Sequence, residues 1–213
     1  MESCARRHCD IGWGRRVRAM QRMVLVAGIL ITAATAHAQT GVRVRGTIVP
    51  VDGNVLSVKA RDVRDVKLTL ADDLTVAVAR AARFEDIRVG DHVGSATLPG
   101  ANGVPVAIEV HYLAPTVPDG QGAWDLQSGS SMTNANVASI VLATGQRELT
   151  LQFKGATQTI VVPEGAPIVR AVPGTRADLV PGEYVFVAAQ VGDGGALTAA
   201  RIQVSKDGIK PPQ

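Results

Sequence analysis

The chain has 213 residues with 22 basic and 19 acidic side chains, yet six arginines and only two acids fall in the first 38 positions, leaving 16 basic against 17 acidic residues beyond them. That balance gives no support to a polyanion-binding protein, whose affinity comes from neutralising phosphates. Aromatic residues beyond position 38 are limited to Phe84, Tyr112, Trp124, Phe153, Tyr184 and Phe186, too few for a platform that stacks bases or sugars.

Residues 1–38 have the pattern of an export signal. Arg22 precedes an apolar run from Val24 to Ala36, and Ala36-His37-Ala38 meets the small-x-small cleavage rule, so Gln39 is the expected mature N-terminus. The run is shorter than the ~20 residues a membrane span needs. An uncleaved anchor is the alternative. Residues 1–19 are unusual for such a signal and fit a misassigned start, with initiation at Met20 or Met23, while Arg15-Arg16 leaves a twin-arginine route open. Cys4 and Cys9 both lie in the removed segment, so the mature chain has no thiol chemistry. The expected product is periplasmic, with no membrane span and no bound cofactor.

Residues 41–113 read as a first β-domain, and its second half returns later in the chain. Asp86–Tyr112 aligns without a gap on Asp178–Val204, with seven identical columns: Asp86/Asp178, Gly90/Gly182, Val93/Val185, Ala96/Ala188, Gly100/Gly192, Gly103/Gly195 and Ala107/Ala199. The aspartates suit tight turns, and Gly90 and Gly182 supply a positive φ that releases the chain into a strand. Val185, Val187 and Ala189 share one face of that strand. Upstream, Leu68 and Leu70 match Ile160 and Val162, Val76 matches Ile168, Gly46-Thr-Ile48 is set against Ala138-Ser-Ile140, and Leu56 and Val58 fall on Leu149 and Leu151. Asp72-Asp73 reads as a turn. Short strands punctuated by Gly and Pro favour a small barrel, so the expected fold is all-β: a tandem duplication of a small OB-like β-barrel, in two domains.

Residues 114–134 form a linker rich in Pro, Gly and Ser, with an apolar anchor at Trp124-Asp125-Leu126. An anchor inside a polar linker reads as a clasp between domains. The second β-domain spans 135–206, and 207–213 reads as a disordered tail.

Catalytic templates are absent: there is no Gly-x-Ser-x-Gly, no phosphate loop and no histidine near the Ser128–Ser131 cluster. The chain is not expected to be an enzyme. The uneven polar feature is His92, Glu109 and His111, which alternation places on the outer face of two hairpin-joined strands. Two imidazoles and a carboxylate suit Zn, Cu or Ni, and the matching positions Tyr184, Arg201 and Gln203 do not.

The segments Val44-Arg-Gly-Thr-Ile48, Ala60-Arg-Asp62, Trp124-Asp-Leu126, Ser131-Met-Thr-Asn-Ala-Asn-Val137, Ile160-Val-Val-Pro163 and Pro167-Ile-Val169, with the Asp-Gly before the Pro-Pro tail, resemble a family of secreted α-proteobacterial proteins containing a duplicated small β-domain of unknown function. Members often bear the label of a metal ABC transporter permease, which a chain with at most a signal peptide contradicts. The resemblance implies fold and compartment, faintly a link to metal uptake, and no site residues. The functional expectation is a non-enzymatic periplasmic binding or accessory protein for an envelope protein or small ligand. The alternatives are a metal-binding accessory protein using His92, Glu109 and His111, and, third, a hydrolase.

Overall fold

The computed structural model describes residues 41–212; the expected signal segment lies outside them. The first strand, β1 (Gly41–Asp52), turns at Gly53 into β2 (Val55–Ala60), which turns again into β3 (Asp65–Ala81). A 3₁₀ turn at Phe84–Asp86, fixed by the Asp86 carboxylate accepting from the Arg83 N–H at 2.9 Å, leads to β4 (His92–Leu98) and β5 (Val106–Tyr112). Then come β6 (Gly120–Ala123), β7 (Ser131–Ala143), β8 (Gln146–Phe153), β9 (Ala156–Val161) and β10 (Ile168–Pro173). A second 3₁₀ turn, Arg176–Asp178, precedes β11 (Tyr184–Val191) and β12 (Leu197–Val204). Gly90 and Gly182, which release the chain from the two turns, take φ of 92° and 93°, a region costly for a side chain.

The fold is all-β, as expected, but the strands do not close within their own segments. β1, β2 and β3 are completed by β11 and β12 from the far end of the chain: β1 pairs with β11, and β12 returns in parallel to β3, closing a five-stranded barrel. The second circuit runs β5–β4–β7–β8–β9 and returns to β5 through the parallel pair Val106–Val161. The strands therefore do not divide at the expected 41–113 and 135–206: the second circuit is one continuous stretch, residues 92–161, set between the two parts of the first. Closure leaves few unpaired edges.

Each circuit has its own core. Ile48, Leu56, Leu68, Val185, Val187 and Ile202 fill the first; Val93, Val110, Val137, Leu149, Leu151 and Ile160 fill the second. Small residues such as Ala189 and Ala199, both fully buried, fit the narrow interior of a small barrel. β10 joins the two circuits: it pairs antiparallel with β3, with Ala79 opposite Ala171, and runs parallel to β5.

Three further expectations change. Asp72-Asp73 is not a turn but part of β3, in a bulged stretch where Leu70 pairs with Ala199 and Thr75 with Arg201. The linker contains β6 and the start of β7. The tail is ordered to Pro212: Lys206 and Ile209 form a bridge, Arg80 holds Asp207 at 2.6 Å, and Pro211 and Pro212 are buried. Among the described residues no helix is long and apolar enough to cross a membrane.

Candidate functional site

Alternation along β1 sends Val44 into the barrel and Arg43 and Arg45 outward. Arg45 lies opposite Phe186 of β11, its guanidinium carbon 5.0 Å from the ring centroid, and its side chain is only 4 % exposed. The β2–β3 turn brings Arg61 and Arg64 to the same end of the barrel. Between these arginines is a hollow of about 230 Å³, lined also by Val42, Val66 and Leu197. Four guanidinium groups face two carboxylates there, Asp62 and Asp125.

The second carboxylate arrives from the segment between β6 and β7. Asp125 accepts two hydrogen bonds from Arg45, at 2.8 and 2.9 Å, and lies 3.8 Å from Arg43. Arg61 donates to the main-chain oxygens of Asp125 and Leu126, both at 3.2 Å. Arg43 stacks on Trp124, 4.2 Å from its centroid, a cation–π contact. Ser130 donates to the Trp124 carbonyl at 2.9 Å, which ties the bend that presents these residues. The expected anchor thus lies on the first barrel while β6 and β7, on either side of it, pair with each other in the second circuit.

The electrostatics are those of fixed charges. The Arg45 hydrogen bonds hold the Asp125 carboxyl below its usual range against the opposing effect of burial, and Arg64, at 2.6 Å, does the same for Asp62. Both groups are therefore ionised at neutral pH. Two features of the rim carry a cost. The Arg45 Nε is buried without a hydrogen-bond partner, and Val63, at the tip of the arginine turn, has φ 60° and is 75 % exposed. A β-branched residue rarely adopts that conformation, and such outliers gather where a loop's shape is used. Planar guanidinium forks beside apolar side chains are chemically suited to hold an oxyanion attached to an apolar group.

The three metal candidates are placed otherwise. Glu109 and His111 do project from the face of β5 opposite Val110, but that face is covered: they are 4 % and 8 % exposed, and Glu109 lines a small hollow with Val169 and the tail residues Ile209 and Pro211. The His111 ring lies over Gly94, its Nδ1 3.5 Å from Glu109. His92 is drawn to the loop after β5, with Nε2 3.0 Å from the Val117 carbonyl oxygen and Nδ1 3.3 Å from Asn136 Oδ1 and 3.6 Å from Asp119. Among the described residues no three His, Cys, Asp or Glu side chains are grouped to hold a metal ion.

The sequence reading singled out Trp124, Asp125 and Leu126 but missed Arg43, Arg45, Arg61 and Arg64 as a group. A signal was present, since Arg43 and Arg45 share one face at period two. No family model, curated protein or solved structure matches the chain.

Proposed function

We propose that this protein is a non-enzymatic binding or accessory module of the periplasm, and that it recognises anionic ligands at the arginine-rimmed mouth of its first barrel. The observation that carries this reading is the excess of guanidinium groups over carboxylates around a hollow lined in part by apolar side chains. Arg61 is central, because its partners are main-chain oxygens and not a carboxylate, so its charge is available to a ligand. The apolar lining excludes water from one side of the head group, where an ion pair gains strength.

The scaffold fits a duplicated OB-like unit whose two copies have exchanged halves. In each circuit the strand order is first, second, third, fifth, fourth, with the third and fifth parallel. The pairs Thr69–Thr198 and Val161–Val106, and likewise Val76–Ile202 and Ile168–Val110, are related by one offset along the chain. That same offset sets Ala79 on Ala171, which face each other at the junction. An export signal in residues 1–38 completes the reading and fits a module working outside the cytoplasm.

Titration calorimetry with acidic peptides and small organic anions tests it. Binding is expected to weaken with salt and to disappear in an Arg43→Gln, Arg61→Gln double variant. Heats that persist unchanged in that variant, or the absence of binding by every anion, would overturn the proposal.

A further inference from the structure

The mouth already has an internal occupant. Asp125 places both carboxylate oxygens on Arg45, and its own main-chain oxygen, with that of Leu126, takes Arg61. Yet this carboxylate belongs to an irregular stretch, its side chain is 48 % exposed, and the hollow beside it stays open. Asp125 therefore acts as the polar half of a ligand whose apolar half is missing.

Three properties narrow the chemistry. A guanidinium fork prefers a head group with two oxygens in one plane, and the internal occupant has that shape. The hollow, at about 230 Å³, is smaller than the ~300–1,000 Å³ of sites for drug-sized molecules. Apart from the charged groups it is lined by Val42, Val66 and Leu197, apolar side chains that suit a ligand's far end. Resting on the mouth as the recognition site, we infer that its ligand is a small organic carboxylate with a short apolar arm. The arm lies on the valine and leucine side chains. The carboxylate takes Arg43 and Arg61, the two guanidinium groups not committed to a bidentate carboxylate, while Arg64 remains with Asp62. Asp125 stands in the ligand's way at both cations, its carboxylate 3.8 Å from Arg43 and its main-chain oxygen on Arg61, so Asp125 holds the arginines in position when the mouth is empty and gives way as the ligand enters.

The test is calorimetry on the purified protein with acetate, butyrate, hexanoate and benzoate, and with benzamide as the neutral match of benzoate. Affinity is expected to rise about fourfold per methylene along the aliphatic series, and benzamide is expected to be silent. Arg61→Gln, which removes two exposed contacts and leaves the core intact, should weaken hexanoate at least tenfold, with Arg43→Gln as the second variant. Asp125→Asn should tighten it severalfold. Equal affinity for acetate and hexanoate, binding of benzamide like benzoate, or unchanged affinity in both arginine variants overturns the inference; an Asp125→Asn variant without tighter binding overturns the competition. If no small carboxylate binds but an Asp/Glu-rich peptide does, and Arg61→Gln abolishes it, the carboxylate inference fails while the mouth remains the recognition site. If neither binds, both fail.

Discussion

In the first barrel Arg45 lies opposite Phe186 and Arg43 opposite Ala188; in the second, strand for strand, Asn134 lies opposite Gly94 and Met132 opposite Ala96. Phe186 gives Arg45 an aromatic face to rest on. Gly94 gives nothing, and the vacant space is taken from the next strand by the His111 ring, so that a Cβ at position 94 would stand 2.3 Å from its Nε2. The second barrel also gains β6 on the free side of β7, with the Gln121 amide donating to Thr133 at 2.9 Å and Gln158 at 2.8 Å. The second barrel thus carries uncharged amides where the first keeps a hollow with a cationic rim. Hydrogen-bonded register fixes the inward residues of both barrels; the outward positions are left free to diverge, and that is where the candidate site arose.

The comparison predicts that the two cores, unlike the two surfaces, are equivalent and coupled. Leu56→Ala and Leu149→Ala each remove a fully buried side chain and should each cost about 2–5 kcal/mol. Because the second circuit, residues 92–161, is inserted between the two parts of the first and tied to it through β10, which pairs with both β3 and β5, each variant is expected to lower one shared denaturant midpoint without splitting the transition. Two separate transitions would break the picture of one coupled unit.

At the surfaces the two barrels should respond unequally. Asp125→Ala leaves the buried Arg45 guanidinium without its carboxylate, at a cost of about 1–2 kcal/mol, below that of a fully buried pair because Asp125 is half exposed. Gln121→Ala, its uncharged counterpart, should cost less, and thermal midpoints measured side by side decide the order. The Asp125 effect also has a pH signature. Its folded carboxyl lies below the ordinary 3.8, so the stabilisation is complete above that value and is lost as pH falls through the lower folded value. The gap in stability between wild type and Asp125→Asn should therefore narrow only on acidification below about pH 4; a gap that narrows near neutrality would assign it to another group. The smallest expected effect is at Gly94. Gly94→Ala should destabilise by about 1 kcal/mol through the clash with His111, and His111→Ala in the same chain should recover most of it, which a double-mutant cycle measures.

Much of the local structure was legible because it depends on neighbours in sequence. The face formed by Val185, Val187 and Ala189 is fully buried, and the Asp86 and Asp178 turns exist as read. The pairing partners were not legible for a physical reason. When two stretches carry the same inward pattern, β1–β3 can close with either β4–β5 or β11–β12, and that pattern alone does not choose between them. The alignment of β7 shows the same limit. Register matches Gly46, opposite Val185, with Ala135, opposite Val93, three positions away from the Ala138 that sequence comparison chose, because the β7–β8 hairpin is longer than the β1–β2 hairpin: Asp52 pairs with Val55, whereas the corresponding Val141 pairs with Glu148 and the strands continue to Ala143 and Gln146. At the site, the pairing of Arg45 with a carboxylate 80 positions away leaves no local trace. The tail was misread because Pro-Pro-Gln has a disordered composition, whereas Pro211 is buried beside Glu109 of β5 and Val169 of β10, far from it in sequence.

The exchange of strands has a consequence for the order of events during synthesis. β1–β3 are complete once residue 81 has been made, yet their barrel cannot close before β11 and β12 appear about a hundred residues later. At roughly 5–20 residues per second that is a delay on the order of 5–20 s, long compared with the microseconds in which a hairpin forms. Throughout it a three-stranded meander presents two unpaired edges and the apolar face of Ile48, Leu56 and Leu68. Strands so distant in sequence also make a high-contact-order fold, which closes slowly once all parts are present. The nascent chain is at its most vulnerable at the stage when only its first half exists, so holdase chaperones that shield open strands have their greatest effect there.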